Sequence, residues 1–181
     1  MRLSGLPAGT RFLAALVVLC LAGCELLAQS GTPRATAGHM DLSDWNWREQ
    51  GTVSLNGEWL FYPDVLLTPG QVAAAGDSDE VRNTLLKVPA AWDIAKANGL
   101  DVNPRGVGTY VLHLTLPADA PSLALGKIDS GTAHRFFVDD TLVHSAGTVG
   151  ATAAASEPGF KRSFAIIPER DTTQRMLAVQ V

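Results

Sequence analysis

Four histidines are the side chains best suited to metal binding or proton transfer in this chain, and His134 and His144 flank one predicted turn. The stretch from Ala133 to Ser145 reads A-H-R-F-F-V-D-D-T-L-V-H-S, two strand-like runs joined by Asp139-Asp140, and so predicts a β-hairpin. A two-residue loop sets Val138 opposite Thr141, Arg135 opposite His144 and His134 opposite Ser145. On that register His134 and His144 project from opposite faces, and only a slip by one residue would let them share a metal. His113 stands alone on its strand, His39 falls in a tether, and no Cys or carboxylate completes a ligand set. No metal or other cofactor is expected.

The remaining chemistry is thinner. Acid–base hydrolysis of a glycoside needs two carboxylates facing each other across a cleft. Asp139 and Asp140 are adjacent in a turn and point apart, while Glu58 sits beside the predicted core residue Trp59. No Gly-x-Ser-x-Gly motif occurs, and Ser145 follows His144 too directly to be activated by it. Gly106-Val107-Gly108 precedes a strand, not a helix, so it is no phosphate loop. The chain is read as a non-enzyme. For binding, Arg135 and His144 share one face of the hairpin, where an acidic ligand would relieve the crowding of two cations. Asn103 and Arg105 lie in the loop before the next strand, and loops at a sandwich edge are where such folds take ligands. These four residues are the candidate ligand site.

The elements that must position them are mostly short strands. Val53-Ser54-Leu55 alternates like a half-buried strand, Asn56-Gly57 predicts a sharp turn, and Trp59 and Phe61 then share a face. Leu42, Trp45 and Trp47 predict a short edge strand whose two indoles cover one end of the core. Thr68 and Pro69 predict the cap and first position of a short helix through Ala75. Gly76 to Asp79 reads as loop, Leu85 to Val88 as an extended segment closed by Pro89, and Ala95 to Gly99 as at most one turn. Strands follow at Thr109–Leu116, Ser122–Ile128, Lys161–Ile167 and Arg175–Val181, with a Gly/Ala/Ser/Thr loop from Gly147 to Gly159. Many short strands with turn signals predict an all-β, antiparallel β-sandwich with only short helical turns.

Length and composition agree: 181 residues, 46% hydrophobic and 18% charged, make one globular domain with a proper core. Residues 1–23 read as a signal peptide, with Arg2 and Arg11 before an apolar run too short to span a bilayer comfortably. Leu21-Ala22-Gly23-Cys24 resembles the lipobox of bacterial lipoproteins, which makes Cys24 the candidate lipid attachment; a plain cleaved signal or an uncleaved anchor is the alternative. Residues 24–38 form a flexible tether and 39–181 the sandwich domain. Both cysteines belong to the leader, so the domain carries no disulfide. Without residues 1–23 the basic residues fall from 14 to 12 against 18 acidic ones. An acidic exported domain is a poor partner for nucleic acid. The predicted location is periplasmic or cell-surface and membrane-associated. The last apolar strand, Met176 to Val181, runs to the end of the sequence, which predicts a chain truncated at its C-terminus.

Several phrases then line up in order: Leu55-Asn56-Gly57-Glu58-Trp59-Leu60-Phe61, Val88-Pro89-Ala90-Ala91-Trp92, Gly106-Val107-Gly108-Thr109-Tyr110 and Ala133 to Asp140, followed by Gly147. The series resembles the jelly-roll, galactose-binding-like domain that opens bacterial seven-transmembrane receptors with diverse intracellular signalling modules. It is also similar to the sugar-binding domain of family 2 glycoside hydrolases. The phrases from His39 to Trp45 and from Glu58 to Pro69 favour the receptor version. The departure is Asp139-Asp140, where such domains commonly have Asn-Gly. The resemblance implies a sensory domain that binds a small ligand, a carbohydrate or acidic sugar, or a partner protein, held at the membrane by a lipid or by missing transmembrane helices. The alternatives are an accessory sugar-binding domain of an exported glycosidase and a stand-alone lipoprotein.

Overall fold

The computed structural model describes residues 31–75, 83–128, 131–161 and 163–181. The leader, Cys24 and the Gly76–Asp79 loop lie outside the described residues. Among those described there are nine strands: β1 (His39–Asp41), β2 (Gly57–Pro63), β3 (Thr84–Val88), β4 (Gly108–Thr115), β5 (Ala124–Ile128), β6 (His134–Val138), β7 (Thr141–Ala146), β8 (Ser163–Ile166) and β9 (Gln174–Gln180). One sheet runs β3-β2-β4-β9-β6-β7, with β1 also on β4, and β5 pairs with β8 as a separate layer. The fold is a mostly antiparallel β-sandwich, with a parallel contact between β1 and β4.

Alternation along the central strands explains the layering. On β4 and β9, Leu112, Leu114, Leu177 and Val179 turn one way and join Trp59, Val138, Leu125 and Ala165 in the main core. That cluster unites the large sheet with the β5–β8 layer. The intervening Val111 and Ala178 turn the other way, onto Tyr62, Leu67 and Val72. Val72 comes from the helix Pro69–Ala75, so a helix covers the second face. Thr68 opens it as the sequence predicts, with its Oγ1 accepting from Gln71 N at 3.4 Å and its N–H donating to Gln71 Oε1 at 2.8 Å. A third cluster, Phe61, Leu86, Ala95 and Val102, packs around Trp92 and Tyr110. Trp92 Nε1 donates to the Tyr110 hydroxyl. Burial pushes the Tyr110 pKa up, against the smaller opposing effect of that bond. The outer side of β8 is left apolar, with Phe164 and Ile166 each 76% exposed.

Three local expectations change. Val53 and Leu55 form no strand, and Asn56-Gly57 is no hairpin turn: β2 begins at Gly57. Gly57 has φ 137° because Ala35 passes against it, with Ala35 N donating to Asn56 O and Glu58 N donating to Ala35 O. A Cβ at Gly57 would stand 2.2 Å from the Ala35 carbonyl oxygen. Ala35, assigned from sequence to the tether, is therefore buried, and the compact unit begins at Pro33. The Trp45–Trp47 stretch is also not a strand. Asn46 caps a short helix, Trp47–Gln50, and the two indoles meet edge to face and still pack against the main core. The turn foreseen at Ala95–Gly99 starts earlier, as a helix over Trp92–Ala97.

Candidate functional site

The β6–β7 hairpin closes with Val138 opposite Thr141, as expected, but its register changes after one step. Phe137 pairs with Leu142 and Phe136 with His144, so Val143 is an extra residue, a β-bulge. His134 now faces Ala146 and Arg135 faces Ser145. Two sequence expectations are overturned together: Arg135 is not opposite His144, and the two histidines are not on opposite faces. Their rings stack with centroids 5.1 Å apart, and His134 Nε2 lies 3.0 Å from His144 Nδ1. Both are buried, 2% and 6% exposed. Burial first, then His134 and the Lys161 ammonium, push the His144 pKa below its ordinary 6.5.

Arg135 turns to the opposite face and joins a polar chain across the sheet. Its guanidinium donates to Gln180 Oε1 at 3.2 Å and to the Val149 carbonyl at 2.8 Å. Gln180 Nε2 donates to Leu67 O, Leu67 N donates to Thr109 Oγ1, and Thr109 Oγ1 donates to Val65 O. Thr109 and Gln180 are buried at 0% and 2% exposure, so this chain satisfies polar groups that could not reach water. Sequence reading missed it. The signal available was a Thr and a Gln at core positions of otherwise apolar strands.

Asn103 and Arg105 do lie together at the edge of the sandwich. Asn103 Oδ1 accepts from Arg105 N at 3.1 Å, and Asn103 O accepts from Gly106 N at 2.9 Å, which fixes the loop. Arg105 and Gly106 line a cleft of about 180 Å³ together with Thr132, Ala133, Ser156, Pro158 and Val181. Among the described residues the Arg105 guanidinium has neither a hydrogen bond nor an ion pair, and no carboxylate side chain lines the cleft. His144 and Arg135 lie outside its lining. The candidate residues thus divide: Arg105 in the cleft, Asn103 shaping its loop, Arg135 in the cross-sheet chain and His144 stacked on His134.

A second concavity, of about 600 Å³, lies between Leu116–Leu123 and Ile167–Thr173. Its charged groups are largely engaged, with Glu169 accepting from Ser122 at 2.6 Å and the buried Arg175 bound to Asp139 at 2.8 Å. The sequence also missed the cross-strand partner of His113. His39 pairs with it across β1–β4, and their rings stack at 5.0 Å. Burial, then His39, push the His113 pKa down. Among the described residues no group of three His, Cys, Asp or Glu is placed to hold a metal ion, and no helix is long and apolar enough to cross a membrane.

No family model and no curated protein matches the sequence. The solved structures to which the chain is similar include three bacterial β-glucuronidases. With the enzyme of Bifidobacterium dentium, solved with coumarin-3-O-glucuronide, the identity is 16% and the TM-score 0.48, over 70% of this chain and 19% of that one. With that of Dictyoglomus thermophilum the values are 19% and 0.44, over 70% and 18%. With that of Faecalibacterium prausnitzii they are 18% and 0.42, over 71% and 20%. The chain therefore spans about a fifth of the length of these enzymes.

Proposed function

We propose that this chain is a non-catalytic, ligand-binding β-sandwich that takes an acidic sugar in the Arg105 cleft, as an accessory sugar-binding domain of a larger glycoside-processing protein. The observation that carries the reading is Arg105 in the lining of a cleft that contains no carboxylate side chain. A planar guanidinium binds a carboxylate through paired hydrogen bonds. No aromatic ring lines the cleft, so recognition rests on charge and hydrogen bonding and not on stacking against a sugar face. The non-catalytic part of the proposal is supported by the sequence, which offers no two carboxylates placed to face each other across a scissile bond.

The receptor reading shares this fold, but no feature of the structure favours it. Export, with lipidation at Cys24, remains part of the proposal on the strength of the leader sequence alone. Calorimetric titration tests the binding. D-glucuronate should bind, D-glucose should bind at least about tenfold more weakly, and Arg105→Ala should remove most of the difference, as expected for one charge-assisted pair. Equal binding of the two sugars, or an unaltered Arg105→Ala variant, overturns the proposal.

A further inference from the structure

Three donor side chains stand side by side on the second face of the large sheet. His39 opens β1 and pairs with His113 on β4, and His113 pairs in turn with Met176 on β9. Neighbouring strands lie about 4.8 Å apart, so the three residues span about 10 Å in one line across the sheet. Alternation puts them on one face. Leu112, Leu114 and Leu177, their neighbours along β4 and β9, turn into the main core, whereas Met176 packs with Val111 and Ala178 on the other side. Met40, next to His39, is also buried in the main core, and the His39 ring stacks on that of His113 with centroids 5.0 Å apart.

The backbone fixes this row while leaving its donors unused. His113 N donates to Gly38 O at 2.9 Å, and His39 exchanges two backbone bonds with Thr36. Among the described residues no hydrogen bond or ion pair engages a ring nitrogen of His39 or His113. His39 is exposed, and His113 and Met176 are half-buried, so an ion can enter from solvent. The rings lie 21° from parallel, and bringing their lone pairs together needs only a turn about χ2, a broad and soft torsion for imidazole. No carboxylate among the described residues is placed to complete a set with them. Asp41, next along the same face of β1, accepts from Ser43 N at 2.9 Å, and Asp139 is committed to Arg175 and the Met176 main chain. The donor set is two imidazoles and a thioether.

We propose that His39, His113 and Met176 form a copper(I) site, with the two imidazoles as the main ligands and the Met176 thioether as the third. Ligand softness decides the metal. Ca2+ and Mg2+ need oxygen donors, whereas imidazole suits copper, zinc and nickel, and a thioether narrows that choice to Cu+. Zn2+ would use the histidine pair alone, because it gains little from the sulfur. These residues lie outside the lining of the Arg105 cleft, so the metal site stands whatever the cleft binds.

Anaerobic titration of the full chain with Cu+, buffered by a competing coloured chelator, tests the site. Every protein carries Cys20→Ser and Cys24→Ser, since thiolates in the leader would take the ion first. The chain should draw about one equivalent from the chelator. His39→Ala, His113→Ala and Met176→Leu should each weaken binding by at least about tenfold, the loss caused even by removing a group that only orients a ligand. Met176→Leu should leave Zn2+ binding unchanged. If an alanine variant fails to fold, Ag+ decides as a diamagnetic stand-in for Cu+: the ring signals of His39 and His113 and the Met176 methyl should shift together. No uptake of Cu+, uptake that survives His39→Ala, or equal effects of Met176→Leu on Cu+ and Zn2+ overturns the site. Ag+ shifts centred on His134 and His144 do so as well.

Discussion

Asp139 sits at φ 50°, a left-handed backbone that a glycine would adopt more readily. Its carboxylate explains the choice. Oδ1 accepts from Met176 N at 2.9 Å, and Oδ2 accepts from the Arg175 guanidinium at 2.8 Å, while its own N–H donates to Met176 O. The hairpin tip is thereby tied to β9, and Arg175, 6% exposed, is given its counter-charge. Asp139→Ala leaves that cation buried and unpaired, so urea unfolding should show a loss of about 3 kcal/mol. Asp139→Asn keeps the acceptor for Met176 and should lose about half as much; a loss below about 0.5 kcal/mol in the alanine variant would contradict this role. The Asp139-Asp140 turn was legible in the sequence because turn residues interrupt an apolar alternation. The bulge at Val143 was not, since Val143 is an ordinary strand residue and no glycine marks the extra position. That one unmarked residue decides which face His144 takes.

Elements whose partners are near in sequence, or whose ends carry strong signals, were readable. β4, β9 and the Pro69–Ala75 helix fall within a residue or two of where alternation, Pro117 and the Thr68 cap place them. Elements set by distant contacts were not. β1 has only three residues and pairs in parallel with a strand far along the chain, a partner that local periodicity does not encode. Gly57 is the clearest case: it looks like turn chemistry and serves the close approach of Ala35. Gly57→Ala adds left-handed strain to a clash with backbone atoms that cannot rotate away. It should cost about 2–4 kcal/mol by urea unfolding. Asn56→Ala, by contrast, should cost much less, because Asn56 contributes its carbonyl to Ala35. Comparable losses in the two variants would restore the hairpin reading.

At the scale of the whole molecule, the two-layer architecture was visible in the spacing of short apolar strands, since a half-buried strand must alternate whatever its neighbours are. The cleft was only half visible. The loop from Val102 to Gly108 announced itself through its glycines and proline, but the walls facing it come from the turn before β6 and from the 147–159 loop. Their meeting depends on the strand order of the finished sheet. Arg105 matters because that assembly sets it in the lining of a small concavity with no carboxylate side chain. The most direct test is an amide nuclear magnetic resonance titration of the folded domain with D-glucuronate. Shifts confined to Arg105, Gly106, Thr132, Ser156 and their neighbours, and absent with D-glucose, are the expected result. Shifts centred on the Leu116–Leu123 concavity, or none at millimolar glucuronate, would contradict it.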